Sequence, residues 1–211
     1  MGMFGKTEPK KAAGRVPAFG DGRYIVNAHC FMQELLGDQA CFKIGYTCLA
    51  DASTAPQIEP GVKGESALFK SKKAPTDPWT YVAKDLANYF GAALAAELGR
   101  KEPFDPDTFV MNASSKNGGT PIGAKDFYPA GESIEDRLAW LEKAKDADGK
   151  WSIEELITAK FRSARPLVLT VAVREGVDGE GKPTALPVHT FDLLTPKLQA
   201  LLAGAGDAGK F

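Results

Sequence analysis

Histidine is almost absent from this chain and cysteine is scarce: only His29, His189, Cys30, Cys41 and Cys48 occur. No pair among them has the ligand spacing of a structural zinc site, and there is no CxxC. None sits in a recognisable nucleophile elbow, so a Cys–His catalytic pair has no support. No apolar run reaches 18 residues, which excludes a spanning helix and leaves no membrane partner to expect. The first fifteen residues are basic, but no apolar stretch follows them as in a secretory leader. With an odd number of cysteines, that points to reduced thiols in a cytoplasm. Phosphate-loop spacing is missing too, since Gly179-Glu180-Gly181-Lys182-Pro183 lacks both the leading glycine and the Ser/Thr after lysine. The chain is therefore expected to be no enzyme and to need no cofactor or metal. Binding is the better expectation.

What is present is ordinary globular composition. The 211 residues are 44% hydrophobic and 25% charged, and a chain of this length closes a core without staples. The net charge of −1 is unevenly spread. Residues 1–73 carry ten Lys/Arg against seven Asp/Glu, whereas residues 131–155 carry four against eight. Such asymmetry can steer a polyanion to one part of a surface, although solvated lysines explain it as well.

Residues 1–19 read as a flexible arm, 20–203 as one domain and 204–211 as a flexible tail. Within the domain, 24–31, 41–49 and 65–70 are strand-prone. In the second of these, Phe42, Ile44, Tyr46 and Cys48 share one face by period two, with Lys43, Gly45 and Thr47 on the other. Asp77-Pro78 starts a helix whose stripe is Trp79, Val82, Leu86, Phe90 and Leu94, and Gly99 stops it. The stretch 100–165 is an insertion, loop-rich to about residue 130. Helices are expected after Ser133 and Ser152, the latter with capping-box spacing. Strands follow at 167–173 and 186–191, the last an edge strand because of Pro187, then a short helix at 196–203. Between the inserted helices, 144–155 matches a calcium loop at Asp146, Asp148, Gly149 and Glu155. It has Ala144 where the first carboxylate is needed, so an Asp-Gly turn is the simpler reading.

Without the insertion the order is three strands, a helix and two strands, the order of the OB-fold. The expected architecture is mainly β with helices: an OB-type five-stranded barrel, a long helix after strand 3 and a partly helical insertion before strand 4. Basic residues interleave with aromatics on the first three strands, the combination by which single-stranded nucleic acid is held. Arg23, Lys43, Lys70, Lys72 and Lys73 are the candidate phosphate contacts. Tyr24, Tyr46 and Phe69 are the candidate stacking faces, with burial in the core as the competing role for each aromatic.

Gly22-Arg23-Tyr24-Ile25-Val26, the Phe42-Lys43-Ile44 strand, the Glu59-Pro60-Gly61 loop and the short strand leading into an amphipathic helix resemble phage-encoded single-stranded DNA-binding proteins of OB-fold type. The resemblance covers roughly residues 20–100 and the strands after 166. It implies a DNA-binding role in replication or recombination, in the cytoplasm of a host cell. Single-stranded DNA and replication or recombination proteins would be the partners, and self-association stays open. Many such proteins end in an acidic tail with a terminal aromatic. Here Phe211 is last, but Gly206-Asp207-Ala208-Gly209-Lys210 is not acidic. The alternative is a virion structural or assembly protein that binds no nucleic acid.

Overall fold

The computed structural model describes residues 19–35, 39–69, 80–111, 127–177 and 183–207. The fold is mixed α/β, built on one five-stranded antiparallel sheet. Its strands are β1 (Gly22–Leu35), β2 (Gln39–Asp51), β3 (Lys63–Phe69), β6 (Leu167–Val177) and β7 (Pro183–Asp192), in the order β3-β2-β1-β6-β7. Between β3 and β6 the chain forms α1 (Thr80–Glu97), a 3-10 turn (Pro106–Thr108) and β4 (Phe109–Val110). Then come α2 (Ile134–Lys143), β5 (Trp151–Ser152) and α3 (Ile153–Thr158). The last element, α4 (Pro196–Asp207), runs four residues further than expected, into the stretch read as a loose tail.

Period-two alternation sets the inner face of the sheet. Tyr24, Val26 and Cys30 of β1 join Phe42, Ile44, Tyr46 and Cys48 of β2, Leu167, Leu169 and Val171 of β6 and Phe191 of β7 in the main core. The face expected for β2 is thus the buried one. The glycine at 64 pairs with Tyr46, whose ring lies where any side chain at that position would stand. A register shift in the β1–β2 pairing leaves Leu49 as an extra residue, because Ile25 pairs with Ala50 and Val26 with Cys48.

Helix α1 covers the inner face, and the expected Val82, Leu86, Phe90 and Leu94 are buried on it. Trp79 and the start signal Asp77-Pro78 lie outside the described residues. The helix stops as expected: Gly99 takes a positive φ of 67°, with Arg100 N–H donating to Ala95 O and Gly99 N–H to Ala96 O. From Ala92 to Glu97 every residue is buried, because this half is sandwiched between the sheet and the insertion. Gly91 permits that contact, since a Cβ there would stand 2.6 Å from Phe104 O. Ser133 and Ser152 cap α2 and α3, accepting from Asp136 N–H and Glu155 N–H. Trp140 and Trp151 anchor the insertion's core, with Tyr128 edge-on to Trp140 and Phe104 edge-on to Trp151. The parallel pair β4–β5 was not foreseen.

One buried charge joins the insertion to the helix. Glu97, 4% exposed, accepts from the Tyr128 hydroxyl, the Arg137 guanidinium and Ala164 N–H. Burial and this carboxylate raise the Tyr128 phenol above its ordinary range.

Of the expected OB-type barrel, the structure shows a five-stranded antiparallel sheet that does not close. β3 and β7 are the two edges of the sheet and do not pair, so the sheet stays open. It nevertheless curls strongly. The Tyr46 hydroxyl on β2 lies 3.2 Å from His189 Nε2 on β7, and Asn88 of α1 accepts from Phe191 N–H at 2.9 Å. Pro187 sits on the edge strand, as its missing N–H requires.

Candidate nucleic-acid interface

Among the described residues, the outer face of the sheet is covered at one end only. There α4 places Leu198 over Ile25, Ala50 and Val168, with Leu194 and Leu202 beside them. Past this cluster the outward residues are Asn27, His29 and Phe31 of β1, Lys43, Gly45 and Thr47 of β2, and Lys63, Glu65 and Ala67 of β3. Register pairs Asn27 with Thr47, His29 with Gly45, and Phe31 with Lys43.

At the centre of this patch two rings lie together. His29 and Phe31 are stacked with centroids 5.4 Å apart and planes 22° from parallel. Gly45 opposite gives them room. A Cβ there would come within 3.0 Å of His29 Cε1 and 3.4 Å of Phe31 Cε1. Both rings are partly exposed. Burial, with the Arg162 guanidinium nearby, lowers the His29 pKa below its ordinary value, so the imidazole is neutral at pH 7. A neutral flat ring beside a phenyl is a stacking platform rather than a charge.

Cations lie beside it and along the same face. Lys43 pairs with Glu65 on the neighbouring strand. Arg23, Lys63 and Arg162 are exposed, and among the described residues none of them has an acidic partner within ion-pair distance.

The expected site residues fare differently. Arg23 is exposed on the outer face, near the α4 end. Lys43 is on the same face, but its charge is already matched by Glu65. Tyr24 and Tyr46 are corrected: both point inward and are buried, so neither ring offers a face to a base. Phe19 sits edge-on against each at 4.8 Å, and the Tyr24 hydroxyl donates to Gly20 O. Phe69 belongs to β3 through its backbone pairing with Cys41, while its side chain and Lys70, Lys72 and Lys73 lie outside the described residues. His29 and Phe31 were missed. The signal was in the alternation of 24–31, where they fall opposite Tyr24, Val26 and Cys30.

Other chemistry finds little footing. Burial pushes the thiol of Cys30 up to about 12 and that of Cys48 up to about 11, so both stay protonated and poorly nucleophilic at neutral pH. In the 144–155 loop, Asp146 Oδ1 accepts from Asp148 N–H and Lys150 N–H, which makes it an Asx turn around Gly149 at φ 76°. Among the described residues no three His, Cys, Asp or Glu side chains converge on a metal position, and no helix is long and apolar enough to cross a membrane.

Comparison with family models, with curated proteins and with solved structures finds no match to this chain.

Proposed function

We propose that this chain is a single-stranded DNA-binding protein of DNA replication or recombination, and that it holds the strand on the open part of its outer sheet face. The observation that carries this reading is the His29–Phe31 stack over Gly45, with Arg162 near His29 and Lys63 on the same face. Aromatic faces that stack bases, set among cations that follow the phosphates, are the two ingredients of sequence-tolerant single-strand binding. Strand order and helix placement support an OB-type reading. Opened between β3 and β7, the sheet has the strand neighbours of that barrel, with the helix entering after the third strand.

The test is a gel shift with labelled oligo-dT against duplex DNA of equal length, repeated across salt. Oligo-dT is expected to bind the more tightly, with log K falling by about 0.7 per neutralised phosphate for each tenfold rise in salt. Removing two cations, in Lys63→Gln/Arg162→Gln, should flatten that slope by about 1.4. Equal affinity for duplex and single strand, or an unchanged slope, would refute the surface named here.

A further inference from the structure

A concave site lies between α1 and α4, apart from the His29–Phe31 stack, and its reading is independent of the nucleic-acid one. Between the C-terminal end of α1, the segment entering β6, and α4 is an open cavity of about 370 Å³. That is within the roughly 300–1,000 Å³ range of small-molecule sites. Its wall is largely apolar, with Leu193, Leu194 and Leu202, and it also carries Gln199, Arg100 and Arg165.

Arg100 packs on a ring, Arg165 stands beside Gly99, and among the described residues neither is neutralised. The Arg100 guanidinium lies over the Phe104 ring, 4.1 Å from its centroid. The Arg165 guanidinium reaches across Gly99, where a Cβ would stand 3.6 Å from its Nη1. The negative end of α1 favours cations at this spot, which accounts for their position. That attraction does not use up their donors. Among the described residues no carboxylate lies within ion-pair distance of either, and neither side chain makes a hydrogen bond.

From this geometry we infer that the cavity binds a small amphiphilic anion: a carboxylate or phosphate head on the two guanidiniums and an apolar body against the leucines. Planar guanidiniums match such heads by paired charge-assisted bonds. The apolar wall gives the body somewhere to leave water, at about 25 cal/mol for each Å² buried.

Octanoate, octanol, octyl phosphate and inorganic phosphate serve as probes, each titrated calorimetrically into the full chain. Octanoate or octyl phosphate should bind at least about tenfold more tightly than octanol or inorganic phosphate, as expected if charged hydrogen bonds and apolar burial both contribute. The better of the two octyl anions identifies the head. The exposed pair Arg100→Gln/Arg165→Gln should lose that binding at least about tenfold while keeping its melting temperature. His29→Ala/Phe31→Ala should retain it, which separates failure here from failure on the sheet face. Equal binding of octanol would overturn the inference, because the arginines would then be bystanders. Equal binding of inorganic phosphate would overturn it as well, and so would unchanged affinity in the arginine variant.

Discussion

Tyr46 and His189 meet at 3.2 Å although β1 and β6 lie between their strands in the sheet. Only a strongly coiled sheet brings β2 and β7 that close. Burial raises the Tyr46 phenol to about 12 and lowers the His189 pKa, so both are neutral at pH 7. Phe19 N–H donates to the Tyr46 oxygen, and the imidazole tautomer sets which of Tyr46 and His189 donates to the other.

Tyr46→Phe keeps the ring over Gly64 and deletes that hydroxyl. It should lower unfolding free energy by about 1–2 kcal/mol, because it removes the bonds to both Phe19 N–H and His189, each worth about 1 kcal/mol or less. Tyr46→Leu should cost more, about 2–4 kcal/mol, by leaving a cavity against Phe19. Urea denaturation measures both. Oligo-dT affinity of Tyr46→Phe should stay within about twofold, since the ring offers no face to a base. A large loss of binding without a loss of stability would return Tyr46 to the interface.

On the outer face the expectation reverses. His29→Ala and Phe31→Ala should each weaken oligo-dT binding by about 1–3 kcal/mol, the value of one stacked base, without altering the salt slope. Gly45→Val should weaken it too, because the new side chain must displace both rings. Binding that is indifferent to all three changes would remove the stack from the site.

This contrast marks how far the sequence could be read. The alternation in Phe42-Lys43-Ile44-Gly45-Tyr46 identified two faces of β2 correctly, and strand order, the α1 stop at Gly99, the serine caps and the edge proline were legible from local chemistry. Which face was open was a tertiary matter. Aromatics favour pleated, half-buried positions whatever their function, so Tyr24 and Tyr46 read equally as core and as ligand contacts. His29 and Phe31 became a pair only once Gly45 was known to lie opposite. The curl that halts short of closure was equally invisible, because it depends on side chains meeting across the sheet. The all-round burial of Ala92 to Glu97 was present as an Ala-rich run without a polar stripe, a pattern that marks a helix covered on two sides.

Glu97 gives a stability prediction. Glu97→Ala orphans the Tyr128 hydroxyl and Ala164 N–H and strips Arg137 of its partner, and it should cost about 3–5 kcal/mol. Arg137 is partly exposed and can rehydrate, so the lower end is expected. Tyr128→Phe should cost only about 1–2 kcal/mol, as Glu97 keeps two of its three donors. If Glu97→Ala unfolds at the wild-type urea midpoint, the carboxylate is not the joint described.

The two histidines set a pH dependence. Both have folded pKa values below the ordinary 6.5, through burial and, for His29, also the nearby Arg162. On descending below about pH 6.5 the unfolded chain takes up protons that the folded chain refuses, so stability falls with falling pH and levels off once the folded histidines titrate. Asp51, whose carboxylate accepts from Ser53, Gln57 and Ile58 N–H and titrates below its usual value, adds a separate loss at more acid pH. Urea midpoints between pH 7.5 and 5 should therefore decline in the wild type and decline less in His29→Gln/His189→Gln. Identical declines would assign the effect elsewhere.

The placement of Trp140 and Trp151 has an optical consequence. Both indoles are buried in the insertion, and no described residue of the five-stranded sheet is a tryptophan. Their emission follows the inserted block, whereas the far-ultraviolet β signal follows the sheet. Glu97 ties the insertion to α1, which packs on the sheet, so loss of both signals at one urea midpoint would mark a single cooperative unit. Ligands arriving on the outer face remain silent to these two indoles, and a fluorophore on the oligonucleotide is the informative label.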